Sequence, residues 1–338
     1  MKRRGALGLT IAACTVALTI LGCRSRPTNR HTRSSHELMH RPSRDHGRAI
    51  RALCADLTPD ACTTACPPTL PAREHAQCLI DFRFADDSEA LDLARALYAR
   101  TGVLPGVDTT TSHGTYGGTP IATQPALPVG DDRQHLAWLI ASFERYEQVF
   151  AILVARAPRP IDFRLRPDAF GFFRTGTQAY PSAWGQGGVV GYNLDGPLHT
   201  NERDVLETIF HELFHLNDER RGGWSASALG ELFEGIVRRC GRDDGCFGDF
   251  APHDTRVPNG TYYPFDEATR DVREYAAELA LRYFREHEAI LDGTPLEPPF
   301  KCGSEENRVA WERLVEDFFG GLDLSRDCAA GPSAPRGS

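Results

Sequence analysis

His211, Glu212 and His215 stand in the order H-E-x-x-H within residues 208–218, TIFHELFHLND. This spacing acquires chemical meaning on a helix. Residues four apart on an α-helix differ by roughly 40° in azimuth and about 6 Å along the axis, so both imidazoles project to one side. Their ring nitrogens can then meet one divalent ion, zinc being suited to such donors at about 2.0–2.1 Å. Glu212 flanks the pair, where a carboxylate is placed to take a proton from a water rather than to bind the metal. The helical phase over residues 204–218 agrees. Asp204, Glu207, Thr208 and Asp218 share the histidine side, whereas Val205, Leu206, Ile209, Phe210, Leu213 and Leu216 occupy the other. A surface helix with two solvated histidines is the plain alternative, so the rest of the chain has to decide.

A catalytic zinc takes three protein ligands and keeps one position open. One ligand must therefore come from downstream. On a helix expected over residues 266–285, Glu267, Asp271, Glu274 and Glu278 form one stripe against Val272, Ala276, Leu279, Ala280 and Tyr283. Four acids on one face repel by a few tenths of a kcal/mol per pair unless a cation faces them. A divalent ion, or Arg270, Arg282 and Arg285, would supply it. Spacing alone does not choose among the four carboxylates.

The elements that position these residues follow from periodicity and breakers. Leu136, Leu139, Ile140, Phe143, Tyr146, Val149, Phe150 and Leu153 define a long helix over residues 132–157, ended by Pro158 and Pro160. Residues 161–165 alternate apolar and polar and read as a strand, and residues 188–194 as a second. Asp195-Gly196-Pro197 breaks that strand, Thr200 or Asn201 caps the histidine helix, and Arg220-Arg221-Gly222-Gly223 ends it. Further helices are expected over residues 88–100, 228–239 and 305–319.

Glu274-Tyr275-Ala276-Ala277-Glu278 resembles the E-x-x-A-E segment of gluzincin peptidases of the lethal-factor-like type, and helix, strands, then metal helix is the element order of zincins. The resemblance covers residues 132–284 by element order and rests on two short motifs. It implies an α+β fold: a zincin-like domain of a small mixed sheet with active-site helices, preceded by a small Cys-rich helical region. It implies one Zn²⁺ per chain on His211, His215 and Glu274, with Glu278 orienting a histidine; Asp218, one turn past His215, is placed either to orient an imidazole or to cap the helix end. It implies hydrolysis of a protein or peptide with Glu212 as general base, substrate backbone docking on Val189, Val190, Gly191 and Tyr192 as an open strand edge. Such peptidases carry a tyrosine seven residues before the ligand glutamate. Here Glu267 stands there, which moves the tyrosine role to Tyr263 or Tyr262, with His253 another candidate donor. Gly260-Thr261 resembles the G-T-x-x-D segment of aspzincins, but Pro264 fills the aspartate position and Asp266 comes two residues late. The other class of reading is a non-catalytic envelope lipoprotein with a degenerate fold of this kind.

The remaining sequence bounds the setting. Lys2, Arg3 and Arg4 precede an apolar run over residues 6–21 that is short for a membrane span, and Ile20-Leu21-Gly22-Cys23 resembles a bacterial lipobox. Residues 1–22 are then a lipoprotein signal peptide and Cys23 the lipidated residue, anchoring the chain in the cell envelope. Arg24 rather than aspartate follows, which by resemblance to lipoprotein sorting addresses the outer membrane. Residues 23–48 read as a flexible tether, 49–100 as the Cys-rich region, 101–131 as a Gly/Thr/Pro-rich linker, 132–328 as the catalytic domain and 329–338 as a disordered tail. Eight cysteines remain beyond Cys14 and Cys23, an even number suited to disulfides outside the cytosol. Proximity pairs them within residues 54–78, then Cys240 with Cys246 and Cys302 with Cys328. A net charge of -8 argues against nucleic acid as a partner.

Overall fold

The computed structural model describes residues 46–109, 114–116, 119–176, 181–257, 260–267 and 269–328. The expected signal peptide, Cys23, nearly all of the tether and the tail lie outside these residues. No described helix is long and apolar enough to cross a membrane.

Four helices come first among the described residues: α1 (His46–Leu53), α2 (Pro59–Ala65), α3 (Ala72–Arg83) and α4 (Ser88–Thr101). The first two are too short to persist alone. Cys54–Cys62 joins α1 to α2, and Cys66–Cys78 joins the end of α2 to α3. At His46 the described part of α1 already lies inside the expected tether, and His46 Nε2 meets the Leu70 carbonyl at 3.0 Å. Asp87 caps α4 through the Glu89 and Ala90 amides, and its other oxygen accepts the Gly130 N–H at 2.7 Å.

The stretch read as a linker belongs to the sheet. It carries β1 (Leu104–Val107) and β4 (Gln124–Pro125), besides the separate hairpin of β2 (Gly114–Tyr116) and β3 (Thr119–Ile121). β1 is wholly buried although it reads Leu-Pro-Gly-Val. Proline is tolerated because β1 is an edge strand. Glycine is required at 106 because a Cβ there would lie 2.2 Å from the Ala52 carbonyl of α1. The N-terminal helices thus share one continuous apolar core with the rest of the chain.

After α5 (Gln134–Arg156) come β5 (Ala169–Arg174), β6 (Ala183–Gln186) and β7 (Val189–Asn193). The sheet runs β1-β5-β7-β6, with β1, β5 and β7 parallel, β6 antiparallel to β7, and β4 antiparallel beside the end of β5. The fold is mixed α and β with a small mixed sheet and a disulfide-bonded helical N-terminal region. Two strand expectations are corrected. Residues 161–165 alternate in burial as expected but join no strand, because the Asn217 side chain accepts the Arg164 N–H at 2.7 Å and donates to its carbonyl at 3.0 Å. Residues 189–192 form an inner strand, hydrogen-bonded to β5 on one side and β6 on the other. Val189, Val190, Gly191 and Tyr192 therefore offer no free edge, and among the described residues the open edge beside them is that of β6.

Helices α6 (Glu202–Arg220), α7 (Trp224–Cys240), α8 (Asp244–Gly248), α9 (Val272–Leu291) and α10 (Glu305–Phe318) complete the fold. Cys240–Cys246 links α7 to α8, and Cys302–Cys328 closes the segment around α10. Aromatic rings seat the apolar side of α6. Phe210 stacks on Phe163 at 5.1 Å and on Phe284 of α9 at 4.6 Å, and Tyr146 of α5 meets both Phe210 and Phe284. Such pairs add about 0.5–1.5 kcal/mol each beyond burial.

His287 of α9 is buried and neutral. Its Nδ1–H donates to the Tyr283 carbonyl at 2.8 Å, and Nε2 accepts the Leu324 N–H at 3.0 Å. Burial lowers its pKa to about 4 despite the Tyr283 hydrogen bond, and burial brings His199 to about 3. Both folded values lie below the unfolded value of about 6.5, so the unfolded chain binds more protons in between. Stability is complete above about pH 6.5 and declines as pH falls toward 4, by at most about 1.4 kcal/mol per pH unit for each residue. Denaturant unfolding at pH 7, 6 and 5 is expected to show this decline, with a shallower slope in His287→Asn. A slope unchanged by that substitution contradicts the assignment.

Candidate metal centre

Asn201 caps α6, its side chain accepting the Asp204 N–H at 3.0 Å, and Gly222 and Gly223, at φ 72° and 81°, turn the chain away at the other end. His211, Glu212 and His215 fall in the middle of the helix, where fraying does not reach. All three are buried, with 7%, 6% and 5% of their surface exposed. The polar stripe of α6 faces protein, which removes the reading of solvated histidines.

α9 begins later than its acidic stripe suggests. Asp271 is its N-cap and accepts the Arg273 N–H at 2.8 Å, so Glu267 lies outside the helix, paired with Arg242 at 3.0 Å. Glu274 and Glu278 are thereby singled out and turn toward α6. Glu274 Oε2 lies 3.0 Å from His211 Nε2 and 3.3 Å from His215 Nε2, and the two nitrogens are 3.1 Å apart. Bond lengths of about 2.0–2.1 Å in a tetrahedron require donors roughly 3.3 Å apart. The three atoms meet that spacing, and among the described residues His211, His215 and Glu274 are the group that could hold a metal ion. Asp266, the later aspartate, is not part of it.

The electrostatics of the group call for a cation. Burial would raise the Glu274 carboxyl, but His215 and His211 outweigh it and hold the carboxyl well below the usual range. Burial would lower His211, but Glu274 and Glu278 outweigh it and push the imidazole well above its ordinary value. Without a metal the cluster balances itself with a proton on an imidazole. Glu212 differs: burial raises its carboxyl against the pull of His215 and His211, and its Oε2 is buried with no hydrogen-bond partner. A carboxylate in that condition is a ready proton acceptor.

Glu278 Oε1 stands 3.4 Å from His211 Nδ1, on the far side of the ring from the cluster. The Tyr263 ring lies 6.3 Å from the His211 ring, whereas Tyr262 packs under the Arg256 guanidinium at 3.9 Å. Of the two tyrosines, Tyr263 is thus the one beside the cluster. Asp218 does not orient a histidine. Its oxygens accept the Ser225 N–H at 2.6 Å and hydroxyl at 3.0 Å, holding the start of α7, while His215 Nδ1 is buried without a partner. His253 also lies outside the cluster, behind Glu278.

The residue sequence reasoning missed is Gly185. It sits in β6 directly over the motif: a Cβ there would lie 2.6 Å from the Glu212 carbonyl, and 3.3 Å from both Glu212 Oε2 and His215 Cβ. Gln186-Gly187-Gly188 marks a turn, but nothing in the sequence distinguishes Gly185 from its neighbours. A scan of protein-family models and searches of curated proteins and solved structures find no match to the chain.

Gly185→Ala is expected to cost about 1–3 kcal/mol in denaturant unfolding, the usual penalty for overpacking. Gly230→Ala in α7, where a Cβ meets open space, should be neutral or stabilising by up to about 1 kcal/mol. Equal effects of the two would contradict the close approach of β6 to α6.

Proposed function

We propose that this chain is a zinc metallopeptidase of the gluzincin type, and one observation carries the reading. His211, His215 and Glu274 converge with donor spacing suited to tetrahedral zinc, and beside them stands Glu212, whose Oε2 is buried without a hydrogen-bond partner. The intact Glu212 favours an enzyme over a degenerate binding module, since a scaffold has no use for a base between the ligands. The mixed sheet with an antiparallel edge strand packed on the motif helix supports a zincin architecture.

Zinc held there supplies Lewis acidity, lowering the pKa of a water from about 15.7 toward about 7 and polarising a carbonyl. The chain's own residues do the rest. Glu212 takes the water's proton and delivers it to the leaving amide nitrogen. Tyr263, whose ring lies 6.3 Å from that of His211, would turn its hydroxyl to the developing oxyanion. Substrate backbone docks on the outer edge of β6, to which no strand pairs among the described residues, rather than on β7. Gly185 lets that edge lie close to Glu212. Lipidation at Cys23 would anchor the chain in the bacterial envelope, facing protein or peptide substrates there.

Metal analysis of the protein without its leader should give one zinc per chain, with His211→Ala and Glu274→Ala each losing it. Zinc undiminished in both variants contradicts the ligand set. Glu212→Gln should keep zinc and the fold while cleavage of a mixed peptide library falls by about 10²–10⁴-fold. Equal cleavage by Glu212→Gln would remove the base role.

A further inference from the structure

Ile161, Phe163, Leu165 and Pro167 are buried, so the residues alternating with them, Asp162, Arg164 and Arg166, project to the other side of their segment. The Asn217 hydrogen bonds that keep Arg164 out of a strand also fix its backbone. Beside them lies a cavity of about 290 Å³, bounded by Arg164, Arg166 and Asp168 on this segment, by Gly187 just after β6, and by Glu219 and Arg220 at the end of α6. It adjoins the metal centre along both elements that frame it. Arg220 follows His215 on α6 by about 7–8 Å along the axis. Gly187 follows Gly185 by about 6–7 Å along β6. The outer edge of β6 therefore leads from Glu212 to the cavity.

The acids of the cavity are already engaged. Asp168 pairs with Arg48 at 2.5 Å, and Glu219 Oε2 accepts the Gly187 N–H at 2.7 Å. Of the cations, Arg166 is held by Glu147 and donates to the Thr101 carbonyl at 3.2 Å. Arg220 reaches Asp162 at 3.1 Å, but the same carboxylate also serves Arg221 at 2.7 Å. Arg164 has no carboxylate partner among the described residues. Burial and the nearby Arg164 charge, with Arg221 adding to them, hold the Arg220 guanidinium below its ordinary value despite Asp162. Burial acts on Arg145 and Arg203 as well, yet each stands above its ordinary value because two acids pair with it. The end of a helix favours cations, which accounts for Arg220 and Arg221. It does not account for Arg164, which a separate segment brings to the same cavity.

We propose that the cavity bounded by Arg164, Arg166 and Arg220 is a carboxylate subsite, taking the aspartate or glutamate side chain of a peptide laid on the outer edge of β6. A surplus of guanidinium is completed by one carboxylate, which the planar fork of an arginine accepts in bidentate fashion. Arg164 is the residue that selects, since the other two arginines already have acids of their own. A peptide occupant rests on the metallopeptidase reading, whereas the surplus of positive charge in the cavity does not. With Gly187 at the mouth, the acidic side chain belongs two to four residues from the cleaved bond.

Matched peptides that differ only in glutamate or glutamine at those positions read the subsite. Wild type should cleave the best glutamate peptide with kcat/KM about 10-fold or more above that of its glutamine partner, at low salt. The ratio should fall toward one in Arg164→Ala, and in Arg164→Glu a lysine partner should overtake the glutamate peptide. A wild-type ratio near one overturns the proposal, as does a preference that both substitutions leave in place. Binding is read separately from cleavage through the NMR signals of the arginine Nε–H groups. Acetyl-Ala-Glu-Ala-amide should shift those of Arg164 and Arg220 saturably, and its glutamine analogue should not; equal shifts, or none, overturn the site. If wild type cleaves no peptide yet these shifts are seen, the carboxylate site stands and the metallopeptidase reading falls. If cleavage proceeds with neither preference nor shift, the reverse holds.

Discussion

The interaction on which the rest of the structure depends is the meeting of the Glu274 carboxylate with two imidazole nitrogens inside the protein. Buried charge is costly unless paired and hydrogen-bonded. Here two buried histidines and the half-buried Glu274 crowd one point, backed by the buried Glu278. Such a group survives only if a cation neutralises it, whether a proton on His211 or a metal at the shared point. The fold reads as the apparatus that forces the convergence.

That apparatus works through the opposite side of each helix. Phe210 is clamped between Phe163 and Phe284, so the rotation of α6 about its axis is set by aromatic stacking rather than by the polar residues. Phe284 lies on α9, and the same stack that orients α6 also sets the helix bearing Glu274 and Glu278. Asp271 then decides where α9 begins and which acids lie on it. β6 closes the third side, admitted by the missing side chain of Gly185. Glu212 is buried as a result, which raises its carboxyl.

The parts legible in the sequence were those governed by local spacing. The i, i+4 histidines, the long helix ended by Pro158 and Pro160, and the disulfides closing short loops all depend on near neighbours. The convergence of Glu274 with the histidines came from a resemblance rather than from spacing, and the geometry agrees with it. The parts not legible were decided by distant partners. β1 reads as a turn because Pro105 and Gly106 are poor strand formers, yet α1 needs that glycine to approach. The alternation of residues 161–165 imitates a strand, but Asn217, more than fifty residues on, takes the hydrogen bonds. Asp218 looked like a partner for an imidazole one turn away and was drawn instead to the start of α7. The edge role of β7 is only what the resemblance implies, and β6, reading Ala-Trp-Gly-Gln, carries too little pattern to announce the strand that covers it.

The most direct test is X-ray absorption at the zinc edge of the protein loaded with one equivalent of metal. The account predicts a first shell of about four nitrogen and oxygen neighbours at about 2.0–2.1 Å, with the multiple scattering of two imidazoles and no sulfur. A sulfur shell near 2.3 Å, an imidazole count that His215→Ala leaves unchanged, or zinc that washes away on gel filtration would contradict it.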